Sequence, residues 1–152
     1  MTGVQTCALP ICAAHHLLEQ CPGKRFLMLE TKASFGGTWR THTYPGIRSD
    51  SDLYTSGYRF KPWTGTPIAE GDAILSYLQE TIEEEHIDQY IRYQHQVLTA
   101  SWSSEEQLWN LQVQRTDTDE VLHFTCNFLW MCQGYYRHSE GYTPDFPGME
   151  NF

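Results

Sequence analysis

The run Phe26-Leu27-Met28-Leu29, closed by Glu30, constrains this chain most. Four consecutive apolar residues have no polar face to offer water. Such a run fits a strand of a parallel sheet that is covered on both sides. The reading is therefore a buried strand over residues 25–30. Ahead of it, residues 13–20 have helical character, with Leu17 and Leu18 apolar, and Cys21-Pro22-Gly23 ends that stretch.

Beyond Glu30 the chain alternates between irregular and regular segments. Residues 31–65 hold many Gly, Pro, Tyr and Trp and read as a long irregular segment. A loop of that length in a compact domain is functional or disordered, and its aromatic content speaks against disorder. Residues 69–86 predict a helix, because Ile74, Leu75, Leu78 and Ile82 share one face. Asp72 is the expected N-cap. Glu83, Glu84 and Glu85 oppose the helix dipole at its C-terminal end and are expected in solvent. Alternation then puts Ile91, Tyr93, His95 and Val97 on one strand face, and Trp109, Leu111 and Val113 on a second. Residues 121–125 give a third strand, with turns at 103–107 and 116–120. Together these predict an antiparallel β-meander. Residues 128–132 (FLWMC) form a second continuous apolar run and predict another buried parallel strand. The tail to Phe152 reads as loop.

Composition narrows the function. Asp+Glu number 19 against 10 Lys+Arg, a net charge of −9, which excludes a phosphate-neutralising nucleic-acid binder and an anionic membrane surface. No apolar run reaches the roughly eighteen residues of a transmembrane helix, and no basic-then-apolar leader is seen. The five cysteines (Cys7, Cys12, Cys21, Cys126 and Cys132) are odd in number and contain no CxxC pair. They read as reduced thiols of a cytoplasmic protein rather than a disulfide or zinc framework.

The layout of helix, strand and terminal acid fits two readings: an ordinary solvated strand end, since many strands close on Glu, or a dinucleotide-binding unit. There the acid holds ribose hydroxyls, roughly 20 residues after a glycine-rich phosphate turn. Counting back about 20 residues from Glu30 reaches Pro10, which offers no N–H to a phosphate. Residues 2–11 (TGVQTCALPI) show neither strand alternation nor helical spacing. They read as the translation of a short-read sequencing adapter. The expected organisation is thus residues 1–11 as an artefact, and residues 12–152 as a partial dinucleotide-binding domain without its first strand.

Two motifs lie C-terminal to Glu30. Gly36-Gly37-Thr38-Trp39 pairs glycines, which allow close backbone approach to a flat ligand, with an aromatic wall. Tyr44-Pro45-Gly46-Ile47-Arg48-Ser49-Asp50 adds a cation and a carboxylate. The combination GGTW and YPGxRxD resembles the class B flavoprotein monooxygenases. The run YPGIRSDSDLYTSGYRFKPWTG is similar to the ethionamide-activating Baeyer–Villiger monooxygenases of actinobacterial type. The resemblance runs from about Cys12 to Phe152.

That resemblance implies an α/β fold: a Rossmann-like FAD-binding domain, here incomplete, carrying an inserted antiparallel β-meander. It implies FAD as cofactor, NADPH bound by a later domain, and O2 with a small organic molecule as substrates. The reaction implied is Baeyer–Villiger oxidation or S-oxygenation of ketones, sulfides or thioamides through a peroxyflavin. Glu30 would hold the adenosine ribose. Gly36, Gly37, Thr38 and Trp39 would line the flavin, with Arg48 and Asp50 beside the isoalloxazine, Asp50 in the catalytic role. Val97 would touch adenine through its backbone, and Gln133 and Gly134 would form the turn after the last strand, where Gln133 departs from the usual Thr or Ser. Residues 146–152 resemble the approach to the FxGxxxHxxxW fingerprint, with Phe152 as its first residue. The chain therefore reads as an N-terminal fragment, inactive alone. The alternatives are a non-catalytic binding module that kept the fold, or another two-dinucleotide-domain flavin oxidoreductase, which would carry a different loop in place of YPGxRxD.

Other residues take plainer readings. His15 and His16 are adjacent, about 100° apart on a helix, and so read as surface residues rather than metal ligands. His95 reads as a core histidine with its hydrogen bonds made. Cys126 and Cys132 read as packing residues. Ser49-Asp50-Ser51-Asp52 lacks the glycine-bearing loop of a calcium site.

Overall fold

The structure is a computed structural model that describes residues 5–134 and 139–151, with side chains from residue 9 onward. Four helices and two small sheets are described. In chain order they are α1 (Gln5–Gln20), β1 (Met28–Leu29), α2 (Gly37–Thr41), α3 (Leu53–Ser56), α4 (Gly71–Glu84), β2 (Ile91–Arg92), β3 (His95–Ser103), β4 (Leu108–Arg115) and β5 (Val121–Cys126). Single 3-10 turns lie at Asp88–Tyr90 and Met149–Asn151.

The first helix corrects the sequence reading. It begins at Gln5, not at residue 13, and runs through Pro10. A proline inside a helix costs one backbone bond and about 3 kcal/mol. Burial offsets that cost: Ile11 and Ala14 are 3% and 1% exposed, and Leu18 packs on the same cluster. Their spacing of three and four residues makes one continuous apolar stripe.

The apolar run at residues 25–30 becomes a strand only over Met28–Leu29. It pairs in parallel with β2, Met28 opposite Ile91 and Leu29 opposite Arg92. Backbone bonds extend the pairing past the strand ends: Glu30 N–H donates to Arg92 O at 3.0 Å, and His95 N–H to Glu30 O at 2.8 Å. The predicted strand face Ile91-Tyr93-His95-Val97 is broken at Gln94, whose φ of 60° turns the chain from one sheet into the other. Beyond that corner β3, β4 and β5 form the expected antiparallel meander, with a bulge between Val97 and Thr99. Leu111 and Val113 are buried beneath it, as their alternation requires.

Helix α4 organises the core. Ile74, Tyr77, Leu78, Thr81 and Ile82 are buried on one face, and each fully buried aliphatic contributes about 1.5–3 kcal/mol. Its N-cap is Glu70, without a side-chain bond, and Asp72 lies in the first turn instead. The helix begins two residues later than predicted: Ala69 O, which a helix starting there would offer to Ala73 N–H, instead accepts from Ser49 N–H at 2.8 Å. The irregular stretch 31–65 holds two short helices. Asp52 caps α3 by accepting from Thr55 N–H at 2.8 Å, so its carboxylate has a structural duty.

The run at 128–132 is not a strand. Phe128, Trp130 and Met131 are 76%, 54% and 61% exposed. A continuous apolar run is buried only where strands flank it and helices cover it, and among the described residues no strand pairs with it. The aromatics of the irregular stretch divide similarly: Trp39 and Tyr58 are buried, whereas Tyr44 and Tyr54 are exposed. Of the cysteines, Cys12 packs against the core, Cys126 and Cys132 are half-buried with thiol pKa values raised by burial, and Cys21 is exposed. The side chain of Cys7 and all of Phe152 fall outside the described residues.

Candidate functional site

The N-terminal half of α4 is a spine against which both sequence motifs pack. Gly36 lies on it so closely that a Cβ there would be 2.6 Å from Leu75 Cδ2 and 3.1 Å from Arg40 Cβ. Its φ of 117° is open to glycine and strained for other residues. Trp39, on α2, reaches the start of α4: a Cβ on Gly71 would lie 3.8 Å from Trp39 Cε3 and 3.1 Å from Ile47 Cγ2. GGTW and YPGIR therefore meet at Gly71.

The YPGIRSD segment is stitched to the same helix end by its backbone. Ser49 N–H donates to Ala69 O at 2.8 Å, and Arg48 forms a bridge with Glu70. Buried Ser49 donates its hydroxyl to Ser51 O and accepts from Ser51 N–H. This pinning leaves Arg48 and Asp50 exposed on either side of a buried residue. Two polar atoms in these segments, Trp39 Nε1 and Ser51 Oγ, are buried without a hydrogen-bond partner. Such atoms are costly unless a ligand or water satisfies them. The cavity lined by Trp39, Leu53, Tyr58, Ile74, Tyr77 and Leu78 has a volume of about 10 Å³, room for one water and far too little for a flavin ring.

Glu30 lies at the C-terminal end of β1, where ligands of open α/β sheets gather. One carboxylate oxygen accepts from Lys32 N–H at 2.8 Å, which orients the group within its turn. Tyr93 packs against the core beside these segments, and burial first, then the Glu30 charge, raise its hydroxyl pKa, with the Phe35 backbone opposing. Lys32 Nζ also bonds to Thr41 Oγ1, at the far end of α2. Glu30, Gly36, Gly37, Thr38, Trp39, Arg48 and Asp50 are thus carried by connected segments. Val97 is 39% exposed on β3, two residues beyond His95, whose backbone bonds to Glu30. Gln133 and Gly134 lie beyond β5, outside the contacts just described.

Two residues do more than their sequence context announces. By pattern Ser49 is a loop residue and Gly71 a helix start, yet each ties the YPGIRSD segment to the start of α4. Only Gly71, a glycine where a helix begins, carries a signal that could be followed. His95 makes the expected hydrogen bond, Nδ1 to Tyr93 O at 2.6 Å, although it is half-buried rather than in the core. His15 departs from its surface reading: it is half-buried, bonds Glu85 at 2.7 Å and stacks on Phe60. Glu85 is correspondingly not in open solvent, and Glu84 pairs with Lys61 at 2.5 Å.

No protein-family profile matches the chain. Curated relatives do. The chain is 48% identical over 143 residues to the FAD-containing monooxygenase EthA of Mycobacterium tuberculosis, and 41% identical over 140 residues to the putative FAD-containing monooxygenase MymA of the same species. These alignments cover 93% and 91% of this chain but 29% and 28% of the relatives, so the chain spans under a third of their length. Among solved structures, OTEMO in complex with FAD and NADP matches at 25% identity with a TM-score of 0.69, over 93% of this chain and 27% of that one. Steroid monooxygenase bound to NADP, at 23% identity and a TM-score of 0.72, shares the fold over 92% of this chain and 27% of its own. Over nearly its whole length, in sequence and in fold, the chain matches a segment of the FAD-containing monooxygenases, the family resemblance that GGTW and YPGIRSD carry.

Proposed function

We propose that the chain is the N-terminal, FAD-binding portion of an FAD- and NADPH-dependent monooxygenase acting on ketones, sulfides or thioamides with O2, and that it does not complete that reaction alone. The observation that carries this reading is the 48% identity to EthA over 93% of the chain. The geometry supports it in part. Glu30 at the end of β1 fits an adenosine ribose, because a carboxylate oriented by Lys32 N–H still has acceptor capacity for hydroxyls. The partnerless Trp39 Nε1 and Ser51 Oγ, with the Cβ-free Gly36, fit a flat polar ligand laid along GGTW and Asp50. Bound FAD would supply the redox chemistry, and these residues would hold and orient it. Asp50 would present a fixed negative charge from a loop that its backbone bonds keep in place.

The pyrophosphate is where the fit fails. That group needs glycine-permitted backbone approach at the start of the first helix. The described start of α1 reads Gln5-Thr6-Cys7-Ala8, with Pro10 soon after. The chain itself is accordingly expected to hold FAD weakly or not at all.

A chimera tests the reading. Residues 12–152 would replace the matching segment of a relative such as EthA, with that relative's residues on both sides. The expected product is yellow, carries one FAD per chain and oxidises NADPH in a sulfide-dependent way. Asp50→Ala should keep the FAD and lose most of the turnover. A folded chimera that purifies without flavin would overturn the proposal.

A further inference from the structure

We propose that His15, His16 and Glu19 on α1 form a binding site for one divalent transition-metal ion of the zinc class. The proposal stands independently of the flavin reading. One donor atom from each of the three residues lies within 4.8 Å of the others. Glu19 Oε2 is 3.8 Å from His15 Nε2 and 3.7 Å from His16 Nδ1, so the carboxylate stands between the two imidazoles. Bonds of about 2.0–2.1 Å in a tetrahedral site place ligand atoms about 3.3 Å apart. Closing the two gaps to Glu19 takes about half an ångström each, and the two imidazole nitrogens, within 4.8 Å of one another, approach by up to about 1.5 Å through rotamer adjustment. The 100° between adjacent helix positions, which argues against a two-histidine pair, is spanned because Glu19 follows His15 by four residues and His16 by three.

What distinguishes this trio from an ordinary exposed cluster is the support behind His15. Its Nδ1 bonds to Glu85 Oε2 at 2.7 Å, and its ring stacks on Phe60 at 3.6 Å with an interplanar angle of 8°. With Glu85 accepting from Nδ1–H, the lone pair of Nε2 points to the Glu19 side. A carboxylate behind a histidine ligand fixes tautomer and ring orientation in metal sites and raises the basicity of the ligand. His16 and Glu19 are exposed, so an ion has access. The weak contact of Gln20 Nε2 with His16 Nδ1, at 3.4 Å, would give way to it. Imidazole with carboxylate suits zinc, cobalt or nickel, and three protein ligands leave a position for water. The net charge of −9 favours the approach of any cation.

The test is calorimetric titration of the EDTA-treated, reduced 152-residue chain with zinc chloride, with circular dichroism confirming helix throughout. One ion per chain is expected. His16→Ala and Glu19→Gln, both at exposed positions, should each weaken binding at least tenfold. Glu85→Gln should weaken it about tenfold through orientation alone. Cobalt(II) should give a visible spectrum without a thiolate charge-transfer band, which separates this site from Cys12 and Cys21. If the chain alone is not helical, the same titrations are run in the chimera. Unchanged affinity in His16→Ala and Glu19→Gln, a thiolate band, or no binding to a helical chain would each overturn the site.

Discussion

At the scale of single residues, Gly36 shows how much a motif position can depend on space rather than chemistry. The left-handed φ of 117° and the 2.6 Å approach to Leu75 Cδ2 are separate demands, and a methyl group violates both. Strain of this kind costs about 1–3 kcal/mol. Crowding of a packed contact adds about 1–3 kcal/mol where the neighbour cannot yield. Leu75 is half-buried and has some room to move, so Gly36→Ala is expected near the lower end of the combined range, about 2–3 kcal/mol. Urea unfolding followed by circular dichroism checks this. A change below about 0.5 kcal/mol would mean that the loop is not held where the structure places it. Glu30 and Gly36 are legible in the sequence because each answers a local requirement, a strand-end acid and a turn. Ser49 is not, because its role depends on Ala69, twenty residues away.

At the scale of elements, the segment from Tyr58 to Lys61 is held to α4 by a tyrosine and a lysine. Tyr77 accepts from Tyr58 N–H at 2.8 Å and donates to Lys61 O at 2.5 Å. Lys61 Nζ reaches Glu84 at 2.5 Å and Glu80 at 3.6 Å. Burial raises the Tyr77 hydroxyl above its ordinary 10.0, with the Tyr58 bond opposing. The bond to Glu84 raises the Lys61 ammonium above 10.5, with desolvation opposing. In both cases the folded chain favours the protonated form. Their contribution is therefore present in full below the ordinary values and is lost as pH rises through the raised ones. The urea midpoint should hold steady with respect to these two groups up to about pH 9 and decline above about pH 10. Tyr77→Phe should start about 1–3 kcal/mol lower at neutral pH, because Tyr58 N–H and Lys61 C=O lose their partner. Combined with Lys61→Met it should also flatten the alkaline decline, leaving the share owed to Tyr93 and to the thiols of Cys12, Cys126 and Cys132, which burial likewise raises. A parent and a double variant that fall in parallel would refute this account. The elements themselves are legible to unequal degrees. The meander and α4 have clean periods of two and about 3.6 residues, so pattern alone places them. The start of α4 escapes the pattern because Ser49 N–H captures Ala69 O, a tertiary bond that no local period encodes.

At the scale of the whole molecule, the apolar run at residues 128–132 decides behaviour in solution. Its sequence reads as buried because four of its five residues are large and apolar, yet Phe128, Trp130 and Met131 are exposed, as are Tyr142 and Phe146 further on. Sequence pattern reports what a segment needs, not whether the described fold supplies it. Two terms then compete. Exposed apolar surface drives association, and a net charge of −9 on 152 residues opposes it by mutual repulsion. Salt weakens the second term much more than the first, since the screening length falls from about 30 Å at 0.01 M to about 8 Å at 0.15 M. The chain should therefore bind the dye ANS while monomeric at low ionic strength and sediment as larger species as sodium chloride is raised. Phe128→Ser with Trp130→Ser and Met131→Ser should abolish the salt-driven association with little loss of stability, because those side chains are already wet. If instead the triple variant unfolds at a much lower urea concentration, the run is packed in solution, and the strand that its sequence predicts has found a partner after all.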